Sequence, residues 1–155
     1  MSLKTVFSQK IDSSFIEKIF VYVDGAAGSN PGPAGVGVVI YDTDGNQRDE
    51  YKEFLEGGDK TCNEAEYYAL IKGLERACSH CLKNVVCFSD SQLVIKQMNR
   101  EWRIHCPHLR ELHLQVRRLE PMFENVTYVQ CPKENNKLKL ADRLSKQAVD
   151  QFLNN

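Results

Sequence analysis

The sequence predicts an α/β fold in which a five-stranded mixed sheet is flanked by helices. Three apolar strand patterns come first, and helix and strand patterns alternate after them to the end of the chain. Two of the buried-strand patterns are followed by an aspartate, Asp24 and Asp90. Strands separated by a helix can pair in parallel, and the carboxyl ends of parallel strands meet at one edge of a sheet. We therefore expect strands 4 and 5 to run parallel to strand 1, and Asp24 to lie near Asp90.

The first three strands are predicted to form an antiparallel meander. An apolar run at 19–23 is typical of a buried strand, which we expect to end at Asp24. A connection rich in glycine and proline leads to the second strand at 36–41, and a turn at 42–46 leads to the third at 47–55. Such short connections favour antiparallel pairing of successive strands.

A capping-box pattern marks the start of the first helix. Thr61 and Glu64 stand three residues apart in T-x-x-E, so Thr61 is the expected N-cap. Apolar residues at helical spacing form its expected buried stripe: Tyr67, Leu70, Ile71, Leu74, Ala77 and Cys78. The later elements are a strand at 84–89, a short helix from Ser91-Gln92, an irregular link at 99–108, a helix at 109–123, a strand at 126–130, and a last helix at about 137–153 with Ala141, Ser145, Ala148 and Phe152 facing inward.

Length and composition are typical of one globular domain: 155 residues, 42% hydrophobic and 26% charged. No apolar run is long enough to span a membrane, and residues 1–18 lack the pattern of a signal peptide. We expect a partly disordered N-terminal extension at 1–18 and one domain at 19–155. We also expect a cytoplasmic monomer that does not associate with membranes.

The charge distribution bears on nucleic-acid binding, and the cysteine content bears on disulfides and zinc sites. The net charge is −1, but residues 1–95 carry −5 and residues 96–155 carry +4. The C-terminal part could face a polyanion, and a solvated helix face would explain its charge equally well. The six cysteines are expected to be reduced thiols. Cys78 and Cys81 form C-x-x-C, but no second pair stands at zinc-finger spacing, which argues against a zinc site.

Four acidic residues stand where they could hold metal ions. Two carboxylates side by side in an apolar surround repel each other, so at least one stays protonated unless a cation binds. Magnesium takes oxygen ligands, and two such ions about 3.5–4 Å apart can clamp the attacking and leaving oxygens of a phosphodiester. Besides Asp24 and Asp90, Glu66 lies near the start of the first helix and Asp142 lies early in the last helix.

The local sequences around these acids resemble those of a known family, the type 1 ribonucleases H. The matching stretches are V-D-G-A-A-G-S-N-P-G-P-A-G (23–35), N-E-A-E-Y-Y-A-L (63–70), S-D-S-Q-L-V (89–94) and A-D-R-L (141–144). The resemblance covers roughly residues 19–153. Residues 99–108 are too short for the basic helical protrusion of some members, so the chain looks like the archaeal-type subgroup that lacks it.

The resemblance implies a ribonuclease H-like sheet and a metal-dependent endonuclease. Asp24, Glu66, Asp90 and Asp142 would hold two Mg²⁺ or Mn²⁺ ions, and no organic cofactor would be needed. The substrate would be the RNA strand of an RNA–DNA hybrid, cut to leave a 3′-hydroxyl and a 5′-phosphate. The residues expected to contact this substrate are Asn63 and Gln92 with the backbone of Gly25, Ala26 and Ala27 at the 2′-hydroxyls, and Asn30 near the DNA strand.

Three positions depart from the family pattern. Cys62 stands where many members have asparagine, the loop at 131–140 contains no histidine, and Asn136 lies six residues before Asp142 where four is usual. Trp102 would either pack against substrate backbone or anchor the fold. The alternatives to a ribonuclease H are a module that binds hybrids without cleaving them, and a related nuclease that acts on another nucleic acid.

Overall fold

The computed structural model describes residues 16–155, so the predicted N-terminal extension lies outside the described residues except for 16–18. The elements are β1 (Lys18–Ala27), β2 (Ala34–Asp42), β3 (Gln47–Phe54), α1 (Cys62–Ala77), β4 (Asn84–Ser89), α2 (Gln92–Met98), α3 (Pro107–Leu119), a 3₁₀ turn (Glu120–Met122), β5 (Asn125–Gln130) and α4 (Asn136–Leu153). No helix within residues 16–155 is long and apolar enough to cross a bilayer.

The five strands form one mixed sheet in the order β3-β2-β1-β4-β5. The pairs β1–β2 and β2–β3 are antiparallel, while β1–β4 and β4–β5 are parallel. The predicted fold class and strand directions are therefore confirmed. The carboxyl end of β4 lies beside β1 just before Asp24, with Phe88 opposite Tyr22. Asp24 and Asp90 are therefore near each other, as expected.

Strand β1 is longer than predicted, and Asp24 lies within it rather than at its end. Its pairing with β4 stops at Tyr22, opposite Phe88, but its pairing with β2 continues to Ala27, opposite Ala34. The prediction was wrong because β2 starts earlier than its apolar run suggests and so satisfies the backbone of β1 further along. Beyond Tyr22 the edge of β1 that faces β4 is therefore open, and Asp24 lies beside this opening.

The two faces of the sheet are covered by different helices. Because side chains alternate along a strand, Ile19, Val21 and Val23 of β1 face α1, in a core that also contains α3. Tyr22 points to the opposite face, where it packs under α4 with a second set of apolar side chains: Val39, Leu138, Ala141 and Leu144. The same alternation places Asp24 on the face that α4 covers.

The helix predictions hold except at a few residues. Thr61 is the N-cap of α1 with both capping-box hydrogen bonds, and the predicted stripe is buried apart from Cys78. Helix α3 ends at Leu119 instead of continuing to 123, because Pro121 lacks the N–H that an α-helix needs there. Phe152 was predicted to face inward, but it is 48% exposed and stacks on Phe54 at the end of α4.

Candidate metal centre

Three acidic side chains from three separate elements converge at the open edge beside β1. Carboxylate oxygens of Asp24, Glu66 and Asp90 all lie within 4.8 Å of one another. Asp24 comes from β1, Glu66 from α1, and Asp90 directly follows β4. This is the one group of three or more potential metal-ligating side chains within residues 16–155. The structure thus brings together three of the four predicted acids.

Gly25 allows α1 to approach β1 closely enough for Glu66 to reach the cluster. A Cβ at Gly25 would overlap the carbonyl of Ala65 and would lie 2.6 Å from the amide nitrogen of Glu66. Any larger residue would push the start of α1 away from the strand. The backbone N–H of Gly25 then donates to Glu66 Oε1 over 3.2 Å. A glycine directly after Asp24 is therefore a requirement of the site.

The two glutamates at the start of α1 have separate roles. Glu64 caps the helix: its Oε1 accepts the Thr61 amide at 2.9 Å. Glu66 turns the other way, and its second carboxylate oxygen accepts a hydrogen bond from the Ser89 hydroxyl at 3.3 Å. The helix register predicted from the capping box is confirmed, since it separates a capping glutamate from one in the cluster.

Crowding and burial make it difficult for all three acids to be ionised at once. Burial raises the pKa of Asp24 to about 8, with the hydrogen bond from Ser145 opposing this rise and the charges of Asp142 and Asp90 adding to it. Burial, with the charges of Asp24 and Asp90, raises the pKa of Glu66 well above its usual value. Burial also raises the pKa of Asp90, which the charge of Lys133 opposes. A divalent cation fits this site, because it would supply the missing positive charge to a set of hard oxygen donors.

Asp142 lies at the rim of the same site. It lines a cavity of about 110 Å³ together with Asp24, Asp90, Leu138 and two lysines, Lys133 and Lys146. Its side chain is 44% exposed, and its Oδ2 forms an ion pair with Lys146 Nζ at 2.9 Å. The fourth predicted acid therefore faces the cavity but stands outside the group of three.

Comparison with known proteins agrees with this geometry. A family model described as reverse transcriptase-like matches residues 22–148. The N-terminal RNase H domain of Rv2228c from Mycobacterium tuberculosis, solved as a fusion with maltose-binding protein, is 34% identical with a TM-score of 0.81, covering 88% of this chain and 96% of that one. RNase H1 from the halophilic archaeon Halobacterium salinarum is 35% identical with a TM-score of 0.80, covering 86% and 98%.

The chain belongs to the type 1 ribonuclease H family. A further member, LC11-RNase H1, was solved in complex with an RNA/DNA hybrid and is 35% identical with a TM-score of 0.80, covering 87% of this chain and 99% of that one. The chain spans 36% of the length of the curated bifunctional protein Rv2228c and 65% of the curated ribonuclease HI of Halobacterium salinarum.

The residues that the ribonuclease H resemblance assigns to substrate lie around the cluster. Asn63 and Gln92 are exposed in the first turns of α1 and α2. Asn30 Oδ1 accepts the Cys62 amide at 3.0 Å, so this side chain also supports the start of α1. At Gly25 the N–H is already bonded to Glu66. Substrate contacts at these residues, and at Ala26 and Ala27, stay predictions.

Trp102 is 45% exposed, which favours a surface role over a packing anchor. Together with Asn63, Leu93 and Arg103 it lines an open groove of about 600 Å³. The groove runs from the predicted substrate residue Asn63 into the link before α3. The groove lining carries both signs of charge, since Glu101 lies in it beside Arg103.

Sequence reasoning missed four polar residues at the ribonuclease H site. Lys133 and Lys146 line the acid cavity, while Ser89 and Ser145 donate to the carboxylates of Glu66 and Asp24. Two of them had a detectable signal, because residues three and four positions after Asp142 share its helix face. Lys133 follows β5, whose carboxyl end lies at the same sheet edge as that of β4.

Proposed function

We propose that the protein is an endonuclease that hydrolyses the RNA strand of RNA–DNA hybrids with two bound Mg²⁺ or Mn²⁺ ions. The products would carry 3′-hydroxyl and 5′-phosphate ends. The observation that carries this proposal is the convergence of Asp24, Glu66 and Asp90 within 4.8 Å in a chain of the type 1 ribonuclease H family. A relative solved with an RNA/DNA hybrid supports the choice of substrate.

The chain's own residues would hold the cations in defined positions. Asp24, Glu66 and Asp90 would provide the shared ligands, and Asp142 would join them from the rim of the cavity. Bound divalent cations would stabilise charge on both the attacking and the leaving oxygen of the phosphodiester. Each carboxylate oxygen of Glu66 has a hydrogen-bond donor, Gly25 N–H or Ser89 O–H, so its orientation is fixed before any ligand arrives.

The lysines at the cavity would act on the substrate phosphate. Lys133 lies in the connection between β5 and α4, at 131–135, and it lines the cavity. This connection and the first turn of α4 contain no histidine. The charge of Lys133 lies close enough to Asp90 to oppose the rise in the pKa of that carboxyl group. A lysine there would attract a phosphate as a compact point charge.

The two alternative functions have less support. A module that only binds hybrids would gain affinity from basic side chains, because they neutralise phosphates. Four acidic side chains beside a polyanion would lower its affinity. A related nuclease for another nucleic acid would have no need of Asn63 and Gln92 at positions predicted to read 2′-hydroxyls. A monomeric state, a cytoplasmic location and independence from organic cofactors remain part of the proposal.

One panel of substrates tests the function. End-labelled RNA in an RNA–DNA hybrid, double-stranded RNA, double-stranded DNA and single-stranded RNA are each incubated with Mg²⁺, Mn²⁺ or EDTA. We expect internal cleavage of the hybrid's RNA strand with either cation and none with EDTA. Cleavage undiminished in excess EDTA, or a hybrid that is bound and stays intact with both cations, would contradict the proposal.

A further inference from the structure

Ser145 is a fully buried polar residue that touches two of the acids. It lies on α4 three residues after Asp142 and is 0% exposed. Its hydroxyl oxygen is 2.9 Å from Asp24 Oδ2 and 2.7 Å from the backbone carbonyl oxygen of Asp142. A serine hydroxyl has one proton and can donate to one of these acceptors at a time. With a divalent cation bound, Asp24 would be ionised, and its carboxylate would then be the stronger acceptor of the two, because its hydrogen bonds are charge-assisted.

A single glycine in the sheet allows α4 to come close enough for the Ser145 hydroxyl to reach Asp24. Gly37 of β2 lies directly opposite Asp24 in the β1–β2 ladder. A Cβ at Gly37 would overlap the Ala141 carbonyl and would lie 2.9 Å from the amide nitrogen of Ser145. Helix α4 therefore rests on the backbone of β2 at this point. That close approach brings the Ser145 side chain to the carboxylate on the neighbouring strand.

The Asp24 carboxylate has fewer hydrogen-bond donors than the Glu66 carboxylate, so losing Ser145 should affect Asp24 more than losing Ser89 affects Glu66. Glu66 receives two hydrogen bonds, from Gly25 N–H at 3.2 Å and from Ser89 O–H at 3.3 Å. The Asp142 carboxyl group also lies within hydrogen-bond reach of Asp24, but two carboxyl groups can share a hydrogen bond only when one of them is protonated. Within residues 16–155, Ser145 is the one hydroxyl, amide or ammonium group that donates to the Asp24 carboxylate. When both acids are ionised, the Asp24 carboxylate would therefore have no fixed donor without Ser145 and could rotate about its Cβ–Cγ bond.

We propose that Ser145 is a positioning residue that fixes the Asp24 carboxylate in the orientation that binds a divalent cation. This inference rests on the proposed function, since it assumes that Asp24 is a metal ligand. Hydrogen-bond partners of metal ligands typically contribute a factor of about 10–100 to metal affinity. Ser145 would act through Asp24 without contact to the reacting phosphate.

Calorimetric titration with MnCl₂ in the absence of nucleic acid tests this role. Ser145→Ala should fold, because alanine favours the helix, and should weaken the Kd for Mn²⁺ by about 10–100-fold. Ser89→Ala should weaken it less, because Gly25 N–H still holds Glu66. Ser145→Cys retains a weak donor and should lie between wild type and Ser145→Ala.

The experiment includes a control variant for stability, and two separate results would contradict either the role of Ser145 or the proposed function. Val116→Ala removes two methyl groups from a fully buried core position on α3, and should lower the melting temperature without changing the Mn²⁺ affinity. Wild-type affinity in Ser145→Ala, within a factor of about two, would overturn the positioning role and leave the proposed function standing. A wild-type protein that binds no Mn²⁺ at all would overturn the proposed function itself.

Discussion

Replacing Asp24 by asparagine should stabilise the metal-free protein, and the gain should grow with pH. The pKa of Asp24 is raised from 3.8 to about 8 by burial. At neutral pH the unfolded chain carries this carboxyl group ionised, so folding without metal must bind a proton. That costs about 1.36 kcal/mol for each pH unit above the unfolded pKa, or about 4 kcal/mol at pH 7. Asparagine keeps the shape and an oxygen acceptor for Ser145, and it avoids this cost.

The sign of the pH dependence follows from the raised pKa. A folded state that holds the proton more tightly is most stable below about pH 4 and loses that stability as pH rises towards the folded pKa of about 8. The advantage of Asp24→Asn should therefore be about 1–2 kcal/mol at pH 5 and about 4 kcal/mol at pH 7. Urea unfolding in EDTA at these two pH values and at pH 9 measures it.

The matched control is Asp150→Asn, the same chemical change at an exposed carboxylate on α4. Its effect on the free energy of unfolding should stay within about 0.5 kcal/mol at each pH. If Asp24→Asn is no more stable than wild type in EDTA, or if its advantage does not change between pH 5 and pH 7, then the pKa of Asp24 is not raised in the folded protein.

Three further predictions concern the glutamates, the α4 contact and the charge distribution. Glu66→Gln should abolish most hybrid cleavage. Glu64→Gln keeps the helix cap and should cleave at a near wild-type rate. If the two variants show the opposite behaviour, the assignment of Glu64 to the cap and Glu66 to the cluster is wrong. Gly37→Ala should destabilise the protein by about 1–3 kcal/mol in urea unfolding, because the Ala141 carbonyl occupies the space of the new Cβ; unchanged stability would contradict the close α4 contact. Hybrid binding, measured with the cleavage-deficient Glu66→Gln, should weaken steeply as salt rises; a flat titration would mean that the basic C-terminal part does not contact the substrate.

Local patterns were sufficient to predict the elements, because each depends on residues a few positions apart. The Thr61–Glu64 spacing located the start of α1, and the period of its apolar stripe determined which glutamate faces the sheet. The order of strands and helices then predicted the parallel β1–β4 pair. From these steps Asp24, Glu66 and Asp90 could be placed together before any coordinates were known.

The remaining features depend on contacts between distant segments, which a single sequence does not display. The extension of β1 beyond Asp24 depends on where β2 begins, and the hydroxyl partner of Asp24 depends on how closely α4 crosses Gly37. Phe152 has the spacing of a buried residue, yet it lies in the last turn of α4, where it stacks on Phe54 and stays 48% exposed. Asp142 was placed in the site by its motif, but the motif does not show that its carboxylate pairs with Lys146.

Anomalous diffraction from crystals grown with MnCl₂ and a short RNA–DNA hybrid would locate the cations and the substrate together. All four acids can be kept intact if the hybrid carries a non-hydrolysable linkage at the expected cleavage position. The proposed metal site predicts Mn²⁺ peaks within coordination distance of Asp24, Glu66 and Asp90, with the RNA strand's phosphate in contact with them. Peaks confined to other parts of the surface, or a hybrid bound away from these three carboxylates, would contradict it.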